Sequence, residues 1–226
     1  MYNHIVRDLK KHSSSERARI SARFFKTGKG EYGEGDVFIG LTVPEQRLIA
    51  RKYSDADFKD LERLFTSKIH EHRLTALLIL VEQFKGFHDK EIVDFYLRNT
   101  KGVNNWDLVD LSADKILGEY LADREKSLLY KLAKSDSLWE RRISIIATFA
   151  FIKRNKFADT LKIAEILLKD KHNLIHKAVG WMLREIGKRD KKTMLAFLRK
   201  HHKTMPRVTL SYACERLSPA EKKQFY

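Results

Sequence analysis

Apolar residues recur at three- and four-residue intervals along nearly the whole chain, the spacing that gives a helix one apolar stripe. The clearest case lies within residues 173–188. Leu174, Ile175, Ala178, Val179, Met182, Leu183 and Ile186 fall on one side, and Lys177, Trp181, Arg184 and Lys188 on another. Read this way, the sequence predicts helices over 3–12, 14–26, 44–53, 56–66, 70–86, 89–98, 105–121, 124–134, 137–153, 157–169, 173–188, 191–202, 206–216 and 219–225. Start signals agree: Ser14, Asp55 and Ser137 stand where N-caps belong, Glu140 completes a capping box, and Pro44 suits a first turn. Alternation of period two is confined to residues 37–42.

Residues 27–42, TGKGEYGEGDVFIGLT, hold five of the ten glycines and are expected to form a long ordered loop or strap. It reads first as a loop closing the first helical pair, with a groove-lining role as the alternative. Downstream, Arg73, Asp107, Arg142 and Lys177 each open the second half of a similar unit, 34, 35 and 35 residues apart. No such unit buries its own stripe, so neighbours must stack. The expected fold is all-α, a superhelical stack of HEAT-like helical repeats with a concave basic face. No linker divides the chain, so residues 1–226 are read as one domain.

Charge changes the picture from scaffold to polyanion binder. Lys and Arg number 45 against 30 Asp and Glu, a formal net charge of +15. Residues 171–226 alone carry 14 basic and 4 acidic side chains. Such a field favours nucleic acid over an acidic membrane surface. The opening MYNHIVRDLKKH has no export signal, and no apolar run reaches bilayer length. With the lone Cys214, these features make the cytoplasm the expected location and exclude a membrane partner.

Trp181 shares its face with Lys177, Arg184 and Lys188, so it is read as an exposed indole among phosphate-binding cations. Trp139 instead shares a stripe with Ile143, Ile146 and Ala150 and is read as core, with Arg142 at the stripe's edge and able to reach the groove. The helix over 105–121 sets Trp106, Asp107, Asp110 and Asp114 on one side. Carboxylates repel phosphate, so Asp107 is expected to pair with Arg142 one repeat on, and Asp114 to be solvated. Asp110 is weighed as functional, because a carboxylate stabilises the positive sugar that forms when a glycosidic bond breaks.

Other candidates fall away. His70 and His72, at i and i+2, point to different faces of a helix and make no metal motif with Glu71. GKGEYGEG lacks the GK[ST] ending of a phosphate loop, which argues against a nucleotide cofactor. His201 and His202 beside Lys203 read as a basic tail, and Cys214 as a small packing residue.

NNWDLVD, LWERR and HKAVGWMLREIGK, in this order and spacing, resemble the AlkD-type DNA alkylation-repair family of helical-repeat DNA glycosylases. The likeness runs from about residue 14 to the end and includes the GEYGEGD and VPEQR segments. It implies a monomeric, monofunctional enzyme that cradles duplex DNA and removes purines alkylated at N3 or N7, without metal or cofactor. It assigns the catalytic carboxylate to Asp110 and contacts around the lesion to Trp106, Trp181 and Arg142. Arg184 joins Lys177 and Lys188 as a phosphate ligand. Phe24, in SARFFK, stands where these enzymes carry a tyrosine, so the aromatic surface is kept and a hydroxyl is lost. The alternative is a non-catalytic HEAT-like module for branched or damaged DNA, since some relatives of this fold bind DNA without base release.

Overall fold

Side-chain caps decide where many of the helices begin. Ser14 accepts from the amide of Arg17, Asp57 from Asp60, Ser137 from Glu140 and Asp190 from Thr193. Thr42 with Glu45, and Ser218 with Glu221, form full capping boxes. The cap expected at Asp55 is supplied two residues on, by Asp57.

The computed structural model describes the whole chain apart from the side chains of residues 86 and 87. Its helices are α1 (Tyr2–Lys11), α2 (Ser15–Phe24), α3 (Val43–Lys52), α4 (Phe58–Phe65), α5 (His70–Phe87), α6 (Lys90–Arg98), α7 (Trp106–Asp110) and α8 (Glu119–Leu121). They continue with α9 (Ser127–Leu132), α10 (Leu138–Ala147), α11 (Phe149–Ile152), α12 (Ala158–Leu167), α13 (Asn173–Gly187), α14 (Lys191–His201), α15 (Arg207–Ala213) and α16 (Pro219–Lys222). The fold is all-α, and no strand forms among the described residues. The alternation at 37–42 leaves only a single parallel bridge from Val37 to Ile69.

Two long helices expected from periodicity are broken. The segment 105–121 becomes α7, a π turn at Asp114–Gly118, and α8. In that turn the Gly118 amide bonds the Ala113 carbonyl, five residues back. A Cβ on Gly118 would lie 2.2 Å from the Ala147 carbonyl, so only glycine permits this approach. The segment 137–153 divides at Thr148, whose hydroxyl donates to the Ile145 carbonyl at 2.6 Å and competes with the helical ladder.

Two compact units, Met1–Ser112 and Ala113–Tyr226, each bury a core. In the first, α3 and α4 pack on α5 and α1 packs on both, around Ile5, Leu9, Leu61, Leu77 and Phe84. In the second, α10, α13 and α15 stack in succession, with α9, α12 and α14 packed beside them. Ile143, Val179, Met182, Leu183 and Leu210 are sealed there, each burial worth roughly 1.5–3 kcal/mol. Helices α5, α7, α10, α13 and α15 start at 70, 106, 138, 173 and 207, offsets of 36, 32, 35 and 34 along the sequence. Among the described residues, no helix is long and apolar enough to cross a membrane.

The glycine-rich segment is an ordered strap tied to the start of α5. The Val37 amide donates to the Lys68 carbonyl, and the His70 amide to the Val37 carbonyl. The buried carboxylate of Glu71 accepts from the amides of Ile39, Gly40 and Leu41 at 2.7–3.3 Å. Gly40, at φ +85°, lies so close to α2 that a Cβ would meet the Ser14 carbonyl at 2.2 Å.

Candidate functional site

In the first unit, aromatic rings from α2, the strap, α5 and α7 form one continuous layer. Phe25 stacks on Trp106 with centroids 5.2 Å apart, and Phe24 meets the same indole edge-on at 5.8 Å. Phe38 stacks on Phe25 at 5.1 Å and on His70 at 4.5 Å. Phe24 remains 62% exposed, so a large apolar ring faces solvent beside a half-buried tryptophan. Asn105 starts α7 by accepting from the Trp106 amide at 2.8 Å. Asp110, half-buried, closes that helix one turn after Trp106, so the short helix presents both groups from one backbone.

Beneath this layer lies a buried charge network that no local sequence pattern marks. His70 Nδ1 lies 3.0 Å from Asp36 on the strap, and Nε2 lies 2.8 Å from Asp107 on α7. Arg73 donates to Asp36 at 2.6 Å and Asn104 does so at 3.2 Å. Burial opposes charging the ring, but Asp107 and Asp36 outweigh it and push His70 up to about 9. Burial likewise works against the Asp36 anion, which His70 and Arg73 nevertheless hold below the usual carboxylate range. Asp107, expected to pair with Arg142, pairs with His70 instead, because the strap and the start of α5 bring that imidazole to 2.8 Å from it. The only signals for it were Asp36 at the end of the glycine-rich run and the start of α5 beside it.

In the second unit, Trp181 is half-buried rather than exposed, because Phe149 lies 6.0 Å from it and its Nε1 donates to Glu185 at 3.2 Å. Glu185 is only 6% exposed and also receives Lys188 at 2.6 Å and Arg189 at 3.5 Å. Arg184 pairs with Glu215, while Lys177 is exposed one turn before Trp181. The basic face expected on α13 therefore has a carboxylate at its centre.

Three further expectations are corrected. Arg142 does not stand open at a stripe edge: it is 5% exposed and donates to the Leu174 carbonyl at 2.5 Å, bracing the first turn of α13. Asp114 is buried rather than solvated, held by Lys115 at 2.7 Å and Lys153 at 2.8 Å. Trp139 is half-buried rather than core, because it lies in the first turn of α10, ahead of the sealed Ile143 and Ile146.

No group of three or more His, Cys, Asp or Glu among the described residues is arranged to hold a metal. Burial pushes the Cys214 thiol up, which disfavours the reactive thiolate.

Against known proteins, the profile of a family described as DNA alkylation repair enzyme matches residues 5–217. The fold is similar to that of a predicted DNA alkylation repair enzyme from Enterococcus faecalis, with a TM-score of 0.73 and 17% identity, covering 92% of this chain and 98% of that one. At that identity the likeness speaks for the fold alone. Among curated proteins none matches the chain.

Proposed function

The chain belongs to the DNA alkylation repair enzyme family, and from that premise we propose that it is a monofunctional DNA glycosylase for purines alkylated at N3 or N7 in duplex DNA. The observation that carries this reading is the pairing of Trp106 with Asp110 on one short helix, the indole braced by Phe25 and Phe24. An alkyl group at N3 or N7 leaves the purine positively charged. When the bond from C1′ to N9 breaks, its electron pair returns to the base, which departs neutral and needs little acid assistance. Positive charge then develops on the sugar, where the Asp110 carboxylate stabilises it. Water adds its oxygen to C1′ and gives up a proton, and Asp110 orients that attack.

In the first unit Trp106 and Phe24 offer their rings to the sugar and neighbouring bases, and in the second Trp181 offers its indole. Lys177 takes a phosphate directly. Arg184 and Lys188 exchange Glu215 and Glu185 for phosphate, while Arg142 braces α13 from within the protein. In this reading residues 1–226 act as one DNA-binding domain, monomeric and cytoplasmic, and the chemistry asks for no metal or cofactor.

Incubation with N-methylated duplex DNA, followed by chromatography of the supernatant, tests the reading. Free 7-methylguanine or 3-methyladenine above the spontaneous rate is expected. Tight DNA binding without base release would select a non-catalytic module for branched or damaged DNA instead.

A further inference from the structure

His70 joins three parts of the first unit. Both ring nitrogens face carboxylates, Asp36 of the strap at 3.0 Å and Asp107 of α7 at 2.8 Å. A carboxylate offers only lone pairs, so both contacts are hydrogen bonds only while both nitrogens carry protons. A neutral ring would turn a lone pair toward one of the two anions. Phe38 stacks on the ring at 4.5 Å and Phe25 lies beside it, tilted, at 5.1 Å, and Phe25 is the ring stacked on Trp106.

The charged groups around His70 come from each element packed on it: Asp36 from the strap, Arg73 from α5 itself and Asp107 from α7. With an imidazolium the buried set balances, two cations against two anions. With a neutral ring it carries one uncompensated negative charge, which is costly in a buried setting.

The helix this network grips cannot hold its own geometry. α7 has five residues, WDLVD, far fewer than an isolated helix needs. Asp107 follows Trp106 directly and precedes Asp110 by three. Its other carboxylate oxygen, Oδ1, is buried and meets no hydrogen-bond donor, so the His70 contact is the hydrogen-bonded anchor of that side chain.

We propose that His70, as an imidazolium, is a positioning residue that clamps Asp107 to the strap and thereby fixes Trp106 and Asp110 on α7. The catalytic part of this proposal rests on the glycosylase reading; the clamp itself does not. Because the flanking carboxylates hold the ring's ionisation near 9, the clamp is closed across neutral pH and opens in alkaline solution.

The test separates the two claims. In the 226-residue chain carrying Trp139→Phe and Trp181→Phe, Trp106 is the remaining indole of the three. Its emission and its quenching by acrylamide are followed from pH 6 to 10.5. A transition near pH 9 is expected, absent in His70→Gln and shifted to lower pH in Asp36→Asn, which removes one of the two anions and leaves Asp107 unsubstituted. A Trp106 signal without that transition, or one unchanged by both substitutions, would overturn the clamp. In the otherwise native chain, His70→Gln is expected to slow single-turnover base release tenfold or more at pH 7.5 while DNA affinity changes by less than about threefold. An unaltered rate would overturn the positioning role. A transition at Trp106 in the single-tryptophan protein, with no base released by the native chain, would sink the glycosylase reading and leave the clamp standing.

Discussion

The indole nitrogen of Trp181 donates to Glu185 at 3.2 Å, and Lys188 reaches the same carboxylate oxygen at 2.6 Å. An acid one turn from the tryptophan thus gathers the indole, Lys188 and Arg189 around one carboxylate. It holds them in one arrangement, at the expense of local positive potential.

Glu185→Gln keeps an acceptor for the indole and removes the negative charge. Duplex affinity is expected to rise several-fold at low salt, with a steeper dependence on salt, as Lys188 and Arg189 turn to phosphate. Fluorescence anisotropy across a salt series checks this. Affinity falling on substitution would mean that Glu185 organises the face more than it masks it.

Lys177 is exposed on the same helix, one turn before Trp181. Replacing it with Ala is expected to lower the slope of log affinity against log salt by about 0.9, the value for one lost phosphate contact on duplex DNA. An unaltered slope would place the DNA away from this face of α13.

The helical stripes and caps of this fold were legible because each is local: 3.6-residue periodicity and an N-cap three residues ahead need no partner elsewhere. The strap was legible as a loop from its glycines, but its fastening by Glu71 was not, since the three amides it holds lie 30 to 32 residues earlier. His70 and His72, at i and i+2, face apart on a helix. That rule excludes a shared metal and says nothing of carboxylates 34 and 37 residues away. Trp181 falls off the apolar stripe in the sequence but is half-buried in the fold, and Glu185, on the same side one turn on, stands in the sequence beside the sealed Ile186, where its role does not show. Trp106 and Asp110 came from the resemblance, because periodicity alone made three carboxylates beside a tryptophan only an oddity.

His70 and His72, two residues apart on α5, take opposite protonation states. Burial and the neighbouring Arg73 push His72 down to about 4, and its Nδ1 lies 3.0 Å from the Ser67 hydroxyl. A depressed histidine contributes stability that is present above about 6.5 and lost as pH falls through 4, because the unfolded chain binds the extra proton. His70 works in the other direction: its contribution is complete below about 6.5 and is lost as pH rises through 9. Urea unfolding between pH 4 and 10 should therefore give greatest stability near pH 6.5. His72→Gln is expected to flatten the acid limb and His70→Gln the alkaline limb; an unchanged profile in either variant would refute that assignment.

Gly40 combines a left-handed backbone with contact against α2. Gly40→Ala is expected to cost about 2 kcal/mol or more, from strain at positive φ plus the overlap with Ser14. Gly30, at φ +78° with open space around it, should cost only the strain, roughly 1 kcal/mol, when changed to Ala. Equal losses in denaturant unfolding would show that the strap does not press on α2.

The most direct measurement compares the native chain with Asp110→Asn in single-turnover release of 7-methylguanine from methylated duplex DNA, with affinity for the same duplex measured alongside. The native protein should release base well above the spontaneous rate. The variant should fall to that rate while binding DNA as tightly or more tightly, because a negative charge near phosphate has been removed. Release by Asp110→Asn at the native rate, or none by a native protein that is folded and DNA-bound, would contradict a glycosylase centred on Asp110.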